Sequence, residues 1–255
     1  MKKIITLALC IFVALSLVSC GDGSPDNSVH TSAELRGKNI GALKNSASAV
    51  FASEIGSVKT FDSPEALADA LRMGSVDCVL SSAENASSVL EARRKLKKLK
   101  EPYFTSDICM AVAKENIGLT NDINAALITL NEDGVLKSIQ KYYNYGKGER
   151  YAHAEYDDST VYIRLAAVRD FYPYSFTDEN GELCGIDIDT AYAVCDILGI
   201  GLEIDVLDRS SLIDSVWYGE VQFSMGCIFP AKDVLEKVDL TDPYSNISQV
   251  IIVRK

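Results

Sequence analysis

The chain has 255 residues, 47% of them hydrophobic and 24% charged, enough for one large domain or two lobes with real cores. Its formal charge of −11, from 36 acidic and 25 basic side chains, argues against nucleic acid or an anionic membrane surface as the main partner. Two His outside any ligand-spaced cluster, and seven Cys without a CxxC pair, speak against a zinc site.

At the amino terminus Met1-Lys2-Lys3 is cationic and residues 4–17 are apolar. That run is shorter than the ~20 residues a spanning helix needs, so 1–19 reads as a cleaved signal peptide. Leu17-Val18-Ser19-Cys20 resembles a bacterial lipobox, which implies lipidation of Cys20 and its exposure as the first mature residue. Residues 20–33, in which Cys20 is followed by Gly-Asp-Gly-Ser-Pro, read as a tether. Loss of Lys2 and Lys3 would take the charge from −11 to −13. The expected location is extracytoplasmic, with a lipid anchor as the link to the membrane. Setting Cys10 and Cys20 aside leaves Cys78, Cys109, Cys184, Cys195 and Cys227, most of them in apolar runs. An odd number cannot all pair within one chain, so buried free thiols are expected.

Farther along, strands are expected at 39–43, 58–61 and 77–81, with helices between them. A further strand follows at 108–113, after the break Glu101-Pro102-Tyr103. Helical segments at 121–131 and 135–143 flank Asp133-Gly134, and the Gly-, Tyr- and acid-rich stretch 147–160 reads as a linker. The pattern resumes with a strand at 161–166 and ends with a strand at 249–253. Two stretches align without a gap at an offset of 145 positions, 67–77 against 212–222. Each reads as a helix closed by Gly74 or Gly219 and followed by an apolar strand. Ser63-Pro64-Glu65 and Ser210-Ser211 supply their start signals. Parallel βαβ units, and so two similar α/β lobes, are the expectation. The run from Arg93 to Lys100 carries six cations and reads as a solvated helix end. Trp217 reads as a core residue.

The segment from Phe171-Tyr172-Pro173-Tyr174-Ser175-Phe176 through Asp178-Glu179-Asn180-Gly181 to Gly185-Ile186-Asp187-Ile188-Asp189 resembles the opening of bacterial extracellular solute-binding proteins of family 3. Val238-Asp239-Leu240-Thr241-Asp242-Pro243-Tyr244 and Gln249-Val250-Ile251-Ile252-Val253 are similar to later parts of the same lobe. Leu35-Arg36-Gly37-Lys38-Asn39-Ile40-Gly41 resembles the start of that family's second lobe, and Asn131-Glu132-Asp133-Gly134 its closing helix pair. The resemblance implies a type II periplasmic-binding fold: two similar α/β lobes with a ligand cleft, here in circularly permuted order. The second lobe and a hinge strand would occupy 34–113, and closing helices packing on the first lobe 114–146. A linker would follow at 147–160, and the first lobe at 161–255. A truncated tandem protein and a domain-swapped dimer account for the same order.

The family's role implies capture of a small polar solute, an amino acid or a related compound, for an ABC importer permease, with no cofactor and no covalent step. The ligand wall of the first lobe would include Asp170, Phe171 and Tyr174, with an aromatic ring stacked on the ligand. The loop bearing the family's carboxylate grip falls on Gly226, Cys227 and Ile228. The family's Arg there corresponds to Val234, which leaves Lys232 as the nearby cation. From the second lobe, Ser46 and Ser48 stand where the family donates to the ligand carboxylate, and Ser82 where it pairs the ligand ammonium. Both charged arms of an amino-acid grip are thus weakened. That leaves open a sensor or interaction protein on the same fold, and a dehydratase-like enzyme.

Overall fold

The computed structural model describes residues 25–156 and 160–255. The expected signal peptide, the expected lipidation site Cys20 and the first part of the expected tether lie outside the described residues. The chain runs through β1 (Asn39–Leu43), α1 (Ala47–Ile55), β2 (Ser57–Phe61), α2 (Pro64–Arg72), β3 (Cys78–Ser82), α3 (Ala86–Ala92) and β4 (Leu96–Lys98). Next come β5 (Phe104–Val112), α4 (Ile117–Glu132) and α5 (Val135–Tyr145). The C-terminal half contains β6 (Tyr162–Ala167), β7 (Phe176–Thr177), β8 (Leu183–Cys184), α6 (Ile186–Leu198) and β9 (Gly201–Val206). It ends with α7 (Leu212–Trp217), β10 (Phe223–Ile228), α8 (Lys232–Lys237), β11 (Asp239–Leu240) and β12 (Ser245–Arg254).

One continuous sheet has the order β2-β1-β3-β12-β5-β10-β6-β9. From either end it reads the same way. The second, first and third strands of a half run parallel, and an antiparallel strand from the other half completes them. β12 and β5 also pair with each other, from Ser245 opposite Ile108 to Gln249 opposite Phe104. Each half therefore depends on a strand donated by its partner.

The offset of 145 positions has a structural counterpart. In α2 the N–H groups of Met73, Gly74 and Ser75 donate to the carbonyls of Asp69, Leu71 and Ala70 at 2.9, 3.2 and 2.9 Å. In α7 those of Tyr218, Gly219 and Glu220 donate to Asp214, Val216 and Ser215 at 2.9, 3.0 and 2.9 Å. Gly74 and Gly219 close the helices at φ 76° and 73°, where a Cβ is disfavoured. The next turn matches too: the Asp77 carboxylate accepts from Asn39 N–H, and the Gln222 side-chain oxygen from Arg164 N–H, both at 2.8 Å. The start signals differ. Ser63 caps α2 through its hydroxyl, which accepts from Ala66 N–H at 3.2 Å. Ahead of α7 a 3-10 turn over Arg209–Ser211 takes the place of a serine cap.

Several local expectations are corrected. The basic run is not a helix end: α3 stops at Ala92 and Leu96–Lys98 form β4 against β12. Its pattern is that of an edge strand, with Leu96 buried and Lys97 and Lys98 exposed. Lys95 sits at φ 70°, outside helical geometry, and Arg93 grips the Asp69 carboxylate with two nitrogens. Trp217 is half exposed, stacked on Tyr218 and covered by the Lys237 ammonium 4.8 Å from its ring centre. Residues 25–33 of the expected tether dock on the body: Val29 is fully buried and the Asp26 carbonyl accepts from Arg254 at 3.2 Å. In the expected linker, the Asp196 carboxylate on α6 accepts from the Tyr151 and Tyr156 hydroxyls and from Ala154 N–H.

Helices α4 and α5 pack on α6, where the Tyr143 hydroxyl donates to Asp189 at 2.8 Å. All five described thiols are free and buried. Burial pushes Cys78 and Cys195 up to about 12 and Cys109 to about 11.

Candidate interlobe solute site

The loops at the C-terminal ends of β1, β6, β9 and β10 converge between the halves, where an α/β sheet ordinarily forms its ligand crevice. The loop after β6 meets the start of α1 backbone to backbone. Tyr172 N–H donates to the Asn45 carbonyl at 2.9 Å, and Ala47 N–H to the Tyr172 carbonyl at 3.1 Å. Phe51 of α1 then faces Phe171 across the junction, with ring centres 6.4 Å apart. Phe229, just after β10, lies 6.1 Å from Phe51, and Phe104 at the start of β5 backs both at 5.0 and 5.9 Å.

Into this cluster the 3-10 turn after β9 inserts Arg209. Its guanidinium carbon is 5.3 Å from the centres of Phe51 and Phe171 and 5.8 Å from that of Phe229, within the range of cation–π attraction. Nη1 is buried and has no hydrogen-bond partner. Two cavities share this guanidinium as a wall. One, of about 510 Å³, is lined by Val50, Asp170, Phe171 and Asp208 among others. The other, of about 220 Å³, is more apolar and includes Leu212, Ile213, Phe229, Asp233 and Val234.

A carboxyl lies beneath the cluster. Asp187, near the start of α6, is fully buried; one oxygen accepts from the Tyr244 hydroxyl at 2.6 Å and the other has no partner. Burial lifts its pKa to about 7, opposed by the Tyr244 hydroxyl, the Cys227 backbone N–H and the positive charge of Arg209. Burial also raises the Tyr244 and Tyr174 phenols well above the ordinary range.

The structure distributes the expected site residues unevenly. Asp170, at φ 60°, and Phe171 line the larger cavity. Gly226, Cys227 and Ile228 line the smaller one, where Gly226 leaves room for Leu212: a Cβ would stand 2.5 Å from its Cδ1. Tyr174 is buried beside Phe171, 5.8 Å away, and borders neither cavity. Lys232 is 92% exposed and faces Glu236 at 3.9 Å, away from both cavities. Ser46 is committed to the backbone, donating to the Leu43 carbonyl at 2.6 Å and accepting from Ala49 N–H at 3.2 Å as the cap of α1. Ser48 is buried, and the Ser82 hydroxyl accepts from Asn85 N–H at 3.2 Å. Neither lines the cavities.

Arg209 is what the sequence reading missed. A search for the cation confined to the loop after β10 finds only Lys232, whereas the guanidinium arrives from the loop after β9. The usable signal was its position, a lone Arg at the C-terminal end of a parallel strand. Among the described residues, no group of His, Cys, Asp and Glu is placed to hold a metal, and no helix is long and apolar enough to cross a membrane.

Residues 163–255 match the family model for bacterial extracellular solute-binding proteins, family 3. Over that segment the chain is similar to this family. The matched segment supplies Phe171, Arg209 and Phe229, while Phe51 comes from the other half. A probable histidine-binding protein of Neisseria gonorrhoeae is 27% identical over 110 residues, 43% of this chain and 41% of that protein. Among solved structures, an ancestral arginine-binding protein bound to arginine is 31% identical over 33% of this chain and 37% of its own, with a TM-score of 0.32. A phosphate ABC transporter's phosphate-binding protein from Streptococcus pneumoniae TIGR4 covers 86% of this chain and 89% of its own at 11% identity and a TM-score of 0.49. The chain thus spans about two fifths of the curated relative's length. Its two halves, each with the same strand order and a donated antiparallel strand, form a two-lobe α/β fold, consistent with the expected type II periplasmic-binding class.

Proposed function

We propose that the protein is an extracytoplasmic receptor that takes a small polar solute between its halves and presents it to an ABC importer permease. The observation that carries this reading is the buried, unpartnered Nη1 of Arg209 where two cavities meet. A buried donor without a partner costs about 1–3 kcal/mol, and an anionic group of the solute would satisfy it. The guanidinium keeps its faces against the rings and offers its edge to a carboxylate. Asp170 and Asp208, which also line the larger cavity, stand ready for a positive group on the same solute, so an amino acid or a close relative fits the reading. The role is binding and release, with no covalent step and no cofactor.

Anchoring through a lipid on Cys20 belongs to the same proposal, as does a circularly permuted lobe order. The meeting of Arg254 with Asp26 supports the permutation, because the end of β12 lies beside the stretch that leads into β1. A reading as a sensor draws support from the direct backbone contact of Tyr172 with Asn45 and Ala47, through which one half can act on the other. Thermal-shift titration with amino acids, amines and dicarboxylates tests the receptor reading. One class should raise Tm by several degrees, and the rise should vanish in Arg209→Ala. No shift with any class would refute it.

A further inference from the structure

Arg209 has the setting of a ligand. Its guanidinium is drawn inward against three rings that come from both halves: Phe51 from α1, Phe171 from the loop after β6, and Phe229 from just after β10. Among the described residues no carboxylate lies within ion-pair distance of it. Its charge is therefore balanced at close range by ring faces, the means by which aromatic cages hold free quaternary or guanidinium cations. Phe104 closes the back of the cage against Phe51 and Phe229. An exposed loop would ordinarily leave such an arginine in water, where its solvation is best. Here the 3-10 turn over Arg209–Ser211 directs it across the junction.

We infer that Phe51, Phe171 and Phe229 form a binding site for a guanidinium- or ammonium-bearing solute, and that the chain fills it with its own Arg209 as an intramolecular ligand. Two consequences follow from the geometry. The tethered cation bridges the halves and so helps to hold the junction together. Its effective concentration in the cage is that of a short loop, which keeps dilute free cations out. The inference does not depend on an anionic solute at Nη1; it concerns the ring faces, while that reading concerns the edge of the guanidinium.

The test is replacement of the tethered cation by a free one. Arg209→Ala removes the occupant and leaves the rings. Methylguanidinium chloride should raise the Tm of Arg209→Ala by several degrees and leave the wild-type chain unmoved. Sodium chloride at equal ionic strength, and urea as a neutral planar control, should not reproduce the rise. Adding Phe229→Leu to Arg209→Ala should abolish it. A variant that ignores methylguanidinium, or a wild-type chain that responds equally, would overturn the inference. If Arg209→Ala does not fold alone, its refolding yield gives the same reading: recovery with methylguanidinium but not with urea supports the cage, and any other pattern overturns it. Failure of the solute panel on the wild-type chain would leave this result untouched, so the two proposals fail separately.

Discussion

Asp187 should give the molecule a stability that falls as the solution turns from acid to neutral. Its carboxyl is fully buried, and its pKa stands at about 7 against the ordinary 3.8. The folded state therefore holds the proton more tightly than the unfolded chain does. The stabilisation from the protonated form is fully present below pH 3.8 and is lost as pH rises through about 7. The difference of about 3 pH units corresponds to about 4 kcal/mol. The groups that face this carboxyl are the Tyr244 hydroxyl at 2.6 Å, the Cys227 backbone N–H, and the Arg209 guanidinium acting through its charge. Tyr244 stays neutral throughout this range, because burial raises its pKa far above it. Asp187→Asn keeps an oxygen for Tyr244 and removes the titration. Urea unfolding of both proteins at intervals from pH 4 to 8 supplies the assay, and the difference between them cancels every other group. That difference should move by about 4 kcal/mol across the window, the wild-type chain gaining on the variant toward acid pH. A difference that stays constant with pH would refute the burial argument.

Three further expectations can be checked directly. Asp196→Ala removes the acceptor for Tyr151, Tyr156 and Ala154, at a cost of about 2–3 kcal/mol, and should speed limited proteolysis within residues 147–156. Gly185 lies at φ 131°, where a Cβ would stand 2.2 Å from the Tyr174 carbonyl oxygen. Gly185→Ala should therefore cost about 3 kcal/mol or more in denaturant melts. The thiols of Cys78, Cys109, Cys184, Cys195 and Cys227, buried and held largely protonated at neutral pH, should resist a disulfide-exchange reagent until the chain unfolds.

The repeat was legible because it rests on local chemistry. A helix ended by a left-handed glycine and followed by an apolar strand leaves a pattern in eleven residues, and Gly74 and Gly219 mark it. The Asp133-Gly134 break between α4 and α5 was legible for the same reason. The basic run misled because charge was weighed above alternation; buried Leu96 between exposed lysines is a strand signal that needs β12, over 150 residues away, to become a strand. The cation of the site was missed because nothing local distinguishes Arg209 from a surface arginine. Its inward turn is decided by Phe51, Phe171 and Phe229, which reach it from three separate loops and helices. The hydroxyls of Ser46 and Ser82 were legible as residues; that backbone N–H groups claim them depends on where a helix and a turn begin.

The exchange of β5 and β12 also sets the order in which the molecule can be completed. β12 is translated after every other described strand, yet it occupies the middle of the sheet between β3 and β5. Until it emerges, β3 presents an open edge and the N-terminal half has no floor. Pairings such as Val79 with Ile252 join residues that lie far apart in sequence, and contacts of that kind slow folding. The nascent chain must therefore remain unfinished until β12 emerges, and closes in a step that joins both halves at once. Neither half should fold as an independent fragment, but two fragments divided within 147–156 should reassemble into an interlocked pair, since the break leaves every strand of the large sheet intact.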